Sequence, residues 1–291
     1  FTFDHVFHDG AAQVDVFDKT VRFLIDWVVN GFNATVFAYG ATGAGKTYTM
    51  LGTEASPGIM ALTLVDLFAK IEQRNLVGPG HYDVTLTYLE IYNENIRDLL
   101  SGKLDYLELR EDASKGVVVA GITTVSAKTP EEVLHFLRKG NRNRTQEATG
   151  ANEVSSRSHA VLQVLVGHRT TNRKGQRTER FGKLSMIDLA GSERAAETKN
   201  RGLRMIEGAN INRSLLALGN CINALGDTAK RGKYVNYRDS KLTRLLKDSL
   251  GGNCRTVMIA NISPSSTNFD ETQNTLKYAS RARAIKNKVN A

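Results

Sequence analysis

The stretch GATGAGKT, residues 40–47, constrains this chain more than any other feature, because it fits the pattern G-x-x-x-x-G-K-[ST]. In that pattern the glycines let backbone N–H groups turn inward toward phosphate oxygens. The lysine brings a positive charge to the phosphates, and the Ser or Thr hydroxyl reaches Mg²⁺. The pattern carries this meaning between a strand and a helix. Residues 33–39, NATVFAY, predict the buried strand that should precede it.

Two further segments predict long helices from the spacing of their apolar residues. Residues 59–75 and 210–225 each place such residues at helical intervals, so each should bury one face. These positions are Leu64, Val65, Phe68 and Ile71 in the first segment, and Ile211, Leu215, Leu218, Ile222 and Leu225 in the second. A third helix is predicted from Thr129 onward, because Thr129 can cap it, Pro130 suits the first helical position and Glu132 follows three residues after the cap.

Strands are predicted between these helices. Residues 82–92 form one, residues 108–127 form strands around a turn, and residues 160–168 and 181–191 form two more, joined by a polar, basic hairpin. Because strands that alternate with helices favour parallel pairing, the sequence predicts an α/β fold with a central, mostly parallel sheet and helices on both faces. Neither repeats nor an interior linker divide the chain, which predicts a single domain over residues 1–291.

The composition limits the partners without choosing among them. Lys and Arg number 39 against 30 Asp and Glu, for a net charge of +9. Such a charge suits nucleic acid, an anionic membrane or an acidic protein surface, or it is simply spread over a solvated surface. No apolar run reaches spanning length, so membrane insertion is not expected. Cys221 and Cys254 lack metal-binding spacing and are interpreted as two small core residues. This scarcity of cysteine favours a reducing compartment.

A second candidate site is DLAGSE, Asp188 to Glu193, at the end of an apolar strand. An acidic residue there can hold the water shell of Mg²⁺, and Gly191 can bring its backbone N–H close to a γ-phosphate. By itself an Asp after a strand is usually a turn residue. In a chain that also carries a phosphate loop, the segment is better explained as a γ-phosphate sensor.

The third site is NEVSSRSH, Asn152 to His159, which concentrates hydroxyl, amide, guanidinium and imidazole groups in eight residues. It could be a polar loop or a cap that leads into the next element. Alternatively, it is a second switch whose serine hydroxyls reach Mg²⁺ or the attacking water. Two such loops would be ordered while γ-phosphate is present and released after hydrolysis.

Five stretches together resemble the motor domain of kinesins, in order and in spacing: GATGAGKTYTM, NEVSSRSH, DLAGSERA, NINRSLLALGNCINAL and YRDSKLTRLLKDSLGGN. The resemblance covers nearly the whole chain. It is strongest to the kinesin-8 class, including its ciliary branch, because of the alanines in the phosphate loop and the runs GNRNRTQ and CINALGD. The family fold is of the P-loop NTPase type. By this resemblance, the first strand with its adenine clamp and the neck and stalk would lie outside this chain.

The resemblance implies ATP and Mg²⁺ as cofactors and assigns roles residue by residue. Thr47 and Ser156 would face Mg²⁺, with Asp188 acting partly through water, and Tyr48 would lie against the adenine ring. The ATP-binding positions would be Gly40, Ala41, Thr42, Gly43, Ala44, Gly45, Lys46, Thr47 and Tyr48. Many kinesins carry Gln and Ser where Ala41 and Ala44 stand here, so two polar side chains near the nucleotide are absent.

The resemblance also assigns the catalytic switches. Asn152 and Ser155 would line the first switch, and Gly191 in the second would sense γ-phosphate. Arg157 and Glu193 would form an ion pair that closes the two switches around ATP. With Lys46, Ser156 and Asp188, these residues complete the predicted catalytic set.

A basic surface, here called the basic face, is predicted to bind the acidic surface of microtubules. Arg238, Lys241 and Arg244 recur every three residues and would share one face of a helix. Any single one of these charges could equally be a solvated surface charge. The basic face comprises Lys199, Arg201, Arg204, Arg238, Lys241, Arg244, Lys277 and Arg281.

The predicted function is therefore a microtubule-stimulated ATPase that moves along microtubules and, as a further activity, shortens them. The first alternative is a non-motile microtubule-binding protein of this fold with weak or no ATPase. A nucleic-acid-dependent ATPase is the other, although no nucleic-acid motif is evident. The resemblance further implies a homodimer held by the stalk and a place in the cytoplasm, on microtubules of the cytoskeleton, in a spindle or a cilium.

Overall fold

A computed structural model of the protein describes residues 1–78, 80–103, 105–112, 116–145, 156–171, 175–193, 203–226 and 234–287. For residues 145 and 203–212 it describes the backbone only. The strands are β1 (Ala34–Tyr39), β2 (His81–Tyr92), β3 (Asn95–Asp98), β4 (Tyr106–Asp112), β5 (Gly116–Ala120), β6 (Val125–Ala127), β7 (His159–Thr171), β8 (Arg177–Asp188) and β9 (Arg255–Ala260). The helices are α1 (Gln13–Thr20), α2 (Arg22–Val29), α3 (Lys46–Met50), α4 (Ile59–Val77), α5 (Pro130–Thr145), α6 (Leu203–Gly226), α7 (Lys241–Leu245), α8 (Lys247–Gly251) and α9 (Phe269–Ala282).

The described strands form one sheet in the order β5-β4-β3-β2-β7-β8-β1-β9, with β6 paired to β2 beside β3. The expected mostly parallel sheet is wrong. Only β1 is parallel to its neighbours, β8 and β9, and every other described pairing is antiparallel. The short connections between successive strands explain this difference. β7 ends at Thr171 and β8 begins at Arg177, and β2 turns into β3 through Asn93 and Glu94, which both have positive φ (51° and 60°). Links this short join antiparallel strands.

Helices cover both faces of the sheet, as predicted. One apolar cluster lies under α1, α2, α4 and α5, and a second lies under α6 to α9. Of the residues predicted to be buried in α4, Val65 is exposed instead. In α6, Leu215, Leu218 and Ile222 are buried and Leu225 packs at the cluster margin, while the side chain of Ile211 lies outside the described part.

The capping residues predicted for α5 form their hydrogen bonds. The backbone N–H of Glu132 donates to Thr129 Oγ1 (3.3 Å), and the carboxylate of Glu132 accepts from the N–H of Lys128 (2.7 Å). The first bond satisfies an N–H that a helix start leaves without a partner, and the second fixes the chain just before the cap. This fixed start sets the position of the other end of α5, where Arg144 enters the site described below. In the described ranges, no helix is both long and apolar enough to span a bilayer.

Candidate nucleotide site and basic face

The phosphate loop, residues 40–45, lies between β1 and α3, which is the context that its pattern requires. Gly40 has φ of 154°, and a Cβ placed there would lie 2.1 Å from the carbonyl oxygen of Asn261. Only glycine allows the loop to pass this close to the chain after β9. Gly43 and Gly45 also have positive φ, 80° and 96°. The loop therefore has the backbone conformation of an anion cradle.

The ammonium group of Lys46 is buried beside this loop. The residue is 5% exposed, and Nζ donates to the carbonyl oxygen of Ala41 (2.9 Å). Burial lowers the pKa of Lys46, while the negative charges of Asp188 and Glu193 partly oppose that effect. A buried cation is costly unless it meets negative charge. The site is thus built to gain stability from an anion such as a phosphate group.

Asp188 connects the phosphate loop to the end of β8. Its Oδ2 atom accepts hydrogen bonds from Thr47 Oγ1 (2.9 Å) and from Arg144 Nη1 (2.8 Å). Its Oδ1 atom is buried and has no hydrogen-bond partner among the described residues. A hydroxyl beside a carboxylate with one unused oxygen fits Mg²⁺, which keeps several waters and takes its other ligands from phosphates.

A buried network of charged side chains contacts Asp188, and its other three members, Glu90, Arg97 and Arg144, were not predicted as site residues. Arg144 is 2% exposed, and its Nε lies 3.9 Å from Oε1 of Glu90, whose Oε2 lies 3.5 Å from Nη1 of Arg97. We call Glu90, Arg97, Arg144 and Asp188 the charge network. One signal was present in the sequence: Glu90 is a lone acid in the apolar strand LTYLEIY. Nothing in the sequence distinguishes Arg144 from the other basic residues of α5.

The two predicted switch segments meet at the phosphate loop. The N–H of Gly191 donates to the carbonyl oxygen of Ser156 (2.8 Å), and the N–H of Ser192 donates to that of Gly40 (3.0 Å). A Cβ at position 191 would lie 2.2 Å from Thr42 Oγ1, so a side chain there would displace the side chains of Thr42 and Glu193. The structure therefore brings Ser156 and Gly191, one from each predicted switch, into contact. Asn152 and Ser155 lie outside the described residues, and the roles of all four stay predictions.

Glu193 contacts the phosphate loop. One carboxylate oxygen accepts from the N–H of Thr42 (2.8 Å) and the other from Thr42 Oγ1 (2.6 Å). The predicted ion pair between Glu193 and Arg157 belongs to the ATP-bound, closed arrangement, and it stays a prediction. The Thr42 contact was not predicted, because a Thr within the loop pattern carries no signal of a carboxylate partner.

Tyr48 projects from α3 with 53% of its surface exposed. Its hydroxyl lies 3.5 Å from Ser56 Oγ, and its carbonyl oxygen accepts from Gln13 Nε2 (2.7 Å). The backbone is thus fixed while much of the side chain is open. This arrangement is compatible with the predicted contact to an adenine ring, which remains a prediction.

The predicted single helix through Arg238, Lys241 and Arg244 is wrong. Arg238 lies in a 3-10 turn (Tyr237–Asp239), and Ser240 then caps α7 by accepting from the N–H of Thr243 (3.0 Å). Because this hydrogen bond caps a new helix at Ser240, Arg238 lies outside α7 and the three cations do not share one helix face. Leu242 and Leu246 are buried beneath α7, and Leu245 is partly buried at the margin of the same cluster.

The three cations also differ in exposure. The side chain of Arg238 is 74% exposed and lies 3.9 Å from Glu111, whereas that of Lys241 is 20% exposed, with Nζ 3.3 Å from Glu108. Arg244 is half-buried, and its Nε has no hydrogen-bond partner in the part of the chain that the structure describes. Only Arg238 of the three is therefore displayed as a surface charge.

The other predicted members of the basic face are described in part. Lys277 and Arg281 are exposed on α9, where Lys277 donates to Gln273 (3.0 Å) and Arg281 to Asn223 on α6 (2.8 Å). Lys199 and Arg201 lie outside the described residues, as does the side chain of Arg204. Microtubule contact by any of these residues stays a prediction.

Comparison with known proteins identifies relatives over nearly the whole chain. The family model described as the kinesin motor domain matches residues 1–285. The chain is 61% identical over 290 residues to human Kinesin-like protein KIF19, 56% over 286 residues to Kinesin-like protein KIN-8A of Arabidopsis thaliana and 52% over 289 residues to mouse Kinesin-like protein KIF18A. These alignments cover 98–99% of this chain but 29%, 38% and 32% of those relatives, so the chain spans about a third of their length.

Solved structures agree with the fold. The chain aligns with a TM-score of 0.92 and 41% identity to "Structure of a fast kinesin: Implications for ATPase mechanism and interactions with microtubules", covering 100% of this chain and 81% of that one. It aligns with a TM-score of 0.89 and 38% identity to a KIF14 dimer with AMP-PNP in complex with a microtubule, covering 97% and 80%. Because the family match extends over nearly the whole chain, at 52–61% identity to kinesin-8 members, the chain belongs to the kinesin motor-domain family and lies within its kinesin-8 class.

Proposed function

We propose that this chain is the catalytic domain of a motor that hydrolyses ATP and does so faster when bound to a microtubule. The observation that carries the proposal is the meeting of Thr47 and Asp188, which joins the phosphate loop to the end of β8. The unused Oδ1 of Asp188 faces no protein donor among the described residues. Together these groups fit a Mg²⁺–nucleotide complex better than a purely structural contact, which would have satisfied both oxygens.

The residues present divide the work of the site. ATP supplies the phosphoanhydride bond, and Mg²⁺ neutralises the charge of its phosphates. Lys46 would bind the β- and γ-phosphates, Thr47 and Ser156 would hold the metal ion, and Asp188 would orient its water. Glu193 is 151 residues from Thr42 in sequence and bonds to it, so the second switch already reaches the loop. Its carboxylate would move to close the site with Arg157.

The order of the elements along the chain suggests how hydrolysis would be converted into movement of α6 and α9. The segment 188–193 precedes α6, and α6 contacts α9, which ends at Ala282 near the C-terminal end of the chain. A rearrangement of the segment therefore alters the support of α6 and α9. Because coupling between two sites is reciprocal, microtubule binding to the basic face would in turn change turnover. That microtubules speed turnover rather than slow it is inferred from the family. The contacts of α6 with α9 support the proposed route between the two sites.

Finer properties rest on the relatives. Movement along microtubules, shortening of their ends, a homodimer held by a stalk and a place on spindle or ciliary microtubules are proposals taken from the kinesin-8 class. The alternative is a non-motile binder of microtubules with weak or no ATPase. The intact set Lys46, Thr47, Asp188 and Glu193 favours the enzyme, since a binder needs none of them.

The decisive measurement is ATP turnover with increasing concentrations of microtubules. We expect strong stimulation in the wild type and none in Lys46→Ala, since the phosphates lose their main side-chain cation. Lys19→Ala, which removes an exposed lysine of α1 outside the basic face, should keep both basal and stimulated turnover and serves as the matched control. Unstimulated wild-type turnover would favour the non-motile binder, and normal turnover in Lys46→Ala would place the catalytic site elsewhere.

Motility and shortening need the full-length protein. Dye-labelled, stabilised microtubules imaged with that protein and ATP report both activities in one experiment. Processive movement with unchanged filament ends would leave the motor proposal intact and remove the shortening activity. Static binding would support the alternative.

A further inference from the structure

His159, the last residue of the first predicted switch segment, opens β7 and is 2% exposed. Both of its ring nitrogens have partners. Nδ1 accepts from the N–H of Ala190 (3.0 Å), and Nε2 lies 2.8 Å from Ser214 Oγ on α6. Because Nδ1 accepts from a backbone donor, the neutral ring must carry its proton on Nε2 and donate it to Ser214. The ring thus joins the DLAG segment to α6 in one defined tautomer.

The neighbouring residue makes the complementary connection. Ser158 accepts hydrogen bonds from Arg144, at Oγ from Nε (3.2 Å) and at its carbonyl oxygen from Nη2 (3.0 Å). Arg144 also holds Asp188 (2.8 Å). Successive side chains of an extended chain point to opposite faces of a sheet. The side chain of Ser158 accordingly contacts Arg144 of α5 on one face of the sheet, and that of His159 contacts Ser214 of α6 on the other. The two residues are the last two of the first predicted switch segment.

The environment keeps the imidazole uncharged. Burial, followed by the positive charges of Arg144 and Lys46, lowers the pKa of His159 to about 3. A protonated ring could not accept from Ala190, so the connection between the two segments depends on this neutrality. A buried histidine with two satisfied nitrogens can also be purely structural, and the experiment must separate the two roles.

We propose that His159 is a positioning residue that transmits the arrangement of the nucleotide site to α6 through Ser214. The proposal rests on the proposed function. The bond to Ala190 ties the ring to the segment that holds Asp188 and Gly191, and the bond to Ser214 ties it to the helix that leads toward α9. Loss of the Ser214 bond should leave the nucleotide site assembled and weaken its influence on α6.

The test uses Ser214→Ala, which removes the α6 partner and leaves His159 bonded to Ala190. We expect basal ATP turnover within about twofold of the wild type, and microtubule stimulation reduced roughly tenfold, which corresponds to about 1.4 kcal/mol and to the loss of one buried hydrogen bond. Ser214→Thr restores a hydroxyl at the same place and should recover the stimulation. Ser249→Ala is the matched control, because it also removes a buried serine hydroxyl, one that accepts from Thr35 (2.8 Å).

A second readout separates this proposal from the proposed function. Hydrogen exchange of amides 213–226 is measured with ADP and with a non-hydrolysable ATP analogue, in the absence of microtubules. The wild type should show a nucleotide-dependent difference that Ser214→Ala loses and Ser249→Ala keeps. If stimulation and this difference both survive in Ser214→Ala, or both fall equally in Ser249→Ala, His159 is only structural. If microtubules do not stimulate the wild type, but its amide exchange differs between nucleotides and Ser214→Ala loses that difference, the proposed function fails and the coupling stands. If the wild type shows neither response, both fail.

Discussion

The charge network and the basic face use charge in opposite ways. Glu90, Arg144 and Asp188 are at most 2% exposed and hold one another across β2, α5 and β8, whereas the side chain of Arg238 is 74% exposed and lies 3.9 Å from its acidic neighbour. A buried ion that loses its partner is costly, while an exposed pair is worth 1 kcal/mol or less. The first region should therefore control folding and chemistry, and the second should adjust affinity in small steps.

The largest expected difference concerns one substitution made in both regions. Arg144→Met leaves Asp188 buried without its guanidinium partner and leaves Glu90 with Arg97 alone, and we expect the free energy of unfolding to fall by about 3–5 kcal/mol. Arg238→Met removes an exposed guanidinium and should change it by less than about 1 kcal/mol. Urea denaturation monitored by circular dichroism measures both. Similar values for the two variants would mean that the charge network adds no more stability than a surface pair.

The next effect concerns catalysis and again uses a matched pair. Glu193→Ala leaves Lys46 and Thr47 in place, so ATP should still bind. Hydrolysis should fall roughly a hundredfold, as for loss of a positioned proton-transfer or closure group, or about 2.7 kcal/mol. Glu111→Ala removes an exposed acid of the β4–β5 hairpin and should leave single-turnover hydrolysis unchanged. Wild-type hydrolysis in Glu193→Ala would remove this residue from the mechanism.

A charge exchange refines the role of Glu193. In Arg157→Glu combined with Glu193→Arg, an ion pair can still form, so part of the hydrolysis rate should return if the pair mainly closes the site. No recovery is expected if the carboxylate is also needed to carry a proton from the attacking water. Because Glu193 also accepts two hydrogen bonds from Thr42, Thr42→Val is needed beside the exchange. It removes the hydroxyl bond and keeps the backbone one, so it shows how much of any loss comes from the Thr42 hydroxyl alone.

Buried charge also predicts a pH dependence. In the unfolded chain His159 should titrate near its ordinary pKa of about 6.5, whereas in the folded protein its pKa is about 3. Above pH 6.5 both states are neutral and His159 adds no pH dependence. As pH falls below that value, only the unfolded ring takes up a proton, so stability falls and continues to fall until the folded pKa is reached. Between pH 7 and pH 5 the loss should be about 2 kcal/mol.

The measurement is urea denaturation at a series of pH values for the wild type and for His159→Asn. Asn can still accept from the N–H of Ala190 but has no proton to gain in this range. The variant should therefore lack about 2 kcal/mol of the wild-type change between pH 7 and pH 5. Parallel curves for the two proteins would show that another group causes the acid sensitivity.

The two regions were also unequally predictable. The strand–loop–helix around Lys46 follows from a local pattern, because phosphate binding needs particular residues at fixed spacing. Arg144 could not be identified, since its role depends on which strand lies opposite the end of α5. In the same way, the antiparallel pairing of β2 with β7 joins residues far apart in the chain, such as Tyr88 and Leu162. On the basic face, the cap at Ser240 broke a helical pattern that charge spacing alone suggested.

The smallest expected effect separates the members of the basic face from one another. Arg238→Gln should weaken microtubule affinity by about two- to fivefold at low salt, because an exposed charge contributes up to about 1 kcal/mol and salt screens it. Lys241→Gln should have a smaller effect, since Nζ of Lys241 lies 3.3 Å from Glu108 and is already partly neutralised. Glu111→Gln should act in the opposite direction and tighten binding, because it frees Arg238 from its acidic neighbour. Cosedimentation at several salt concentrations measures all three, with basal ATPase as the control for an intact site. A steep fall in basal turnover in Arg238→Gln would instead assign that residue to the fold or the nucleotide site, and the two regions would no longer be separable.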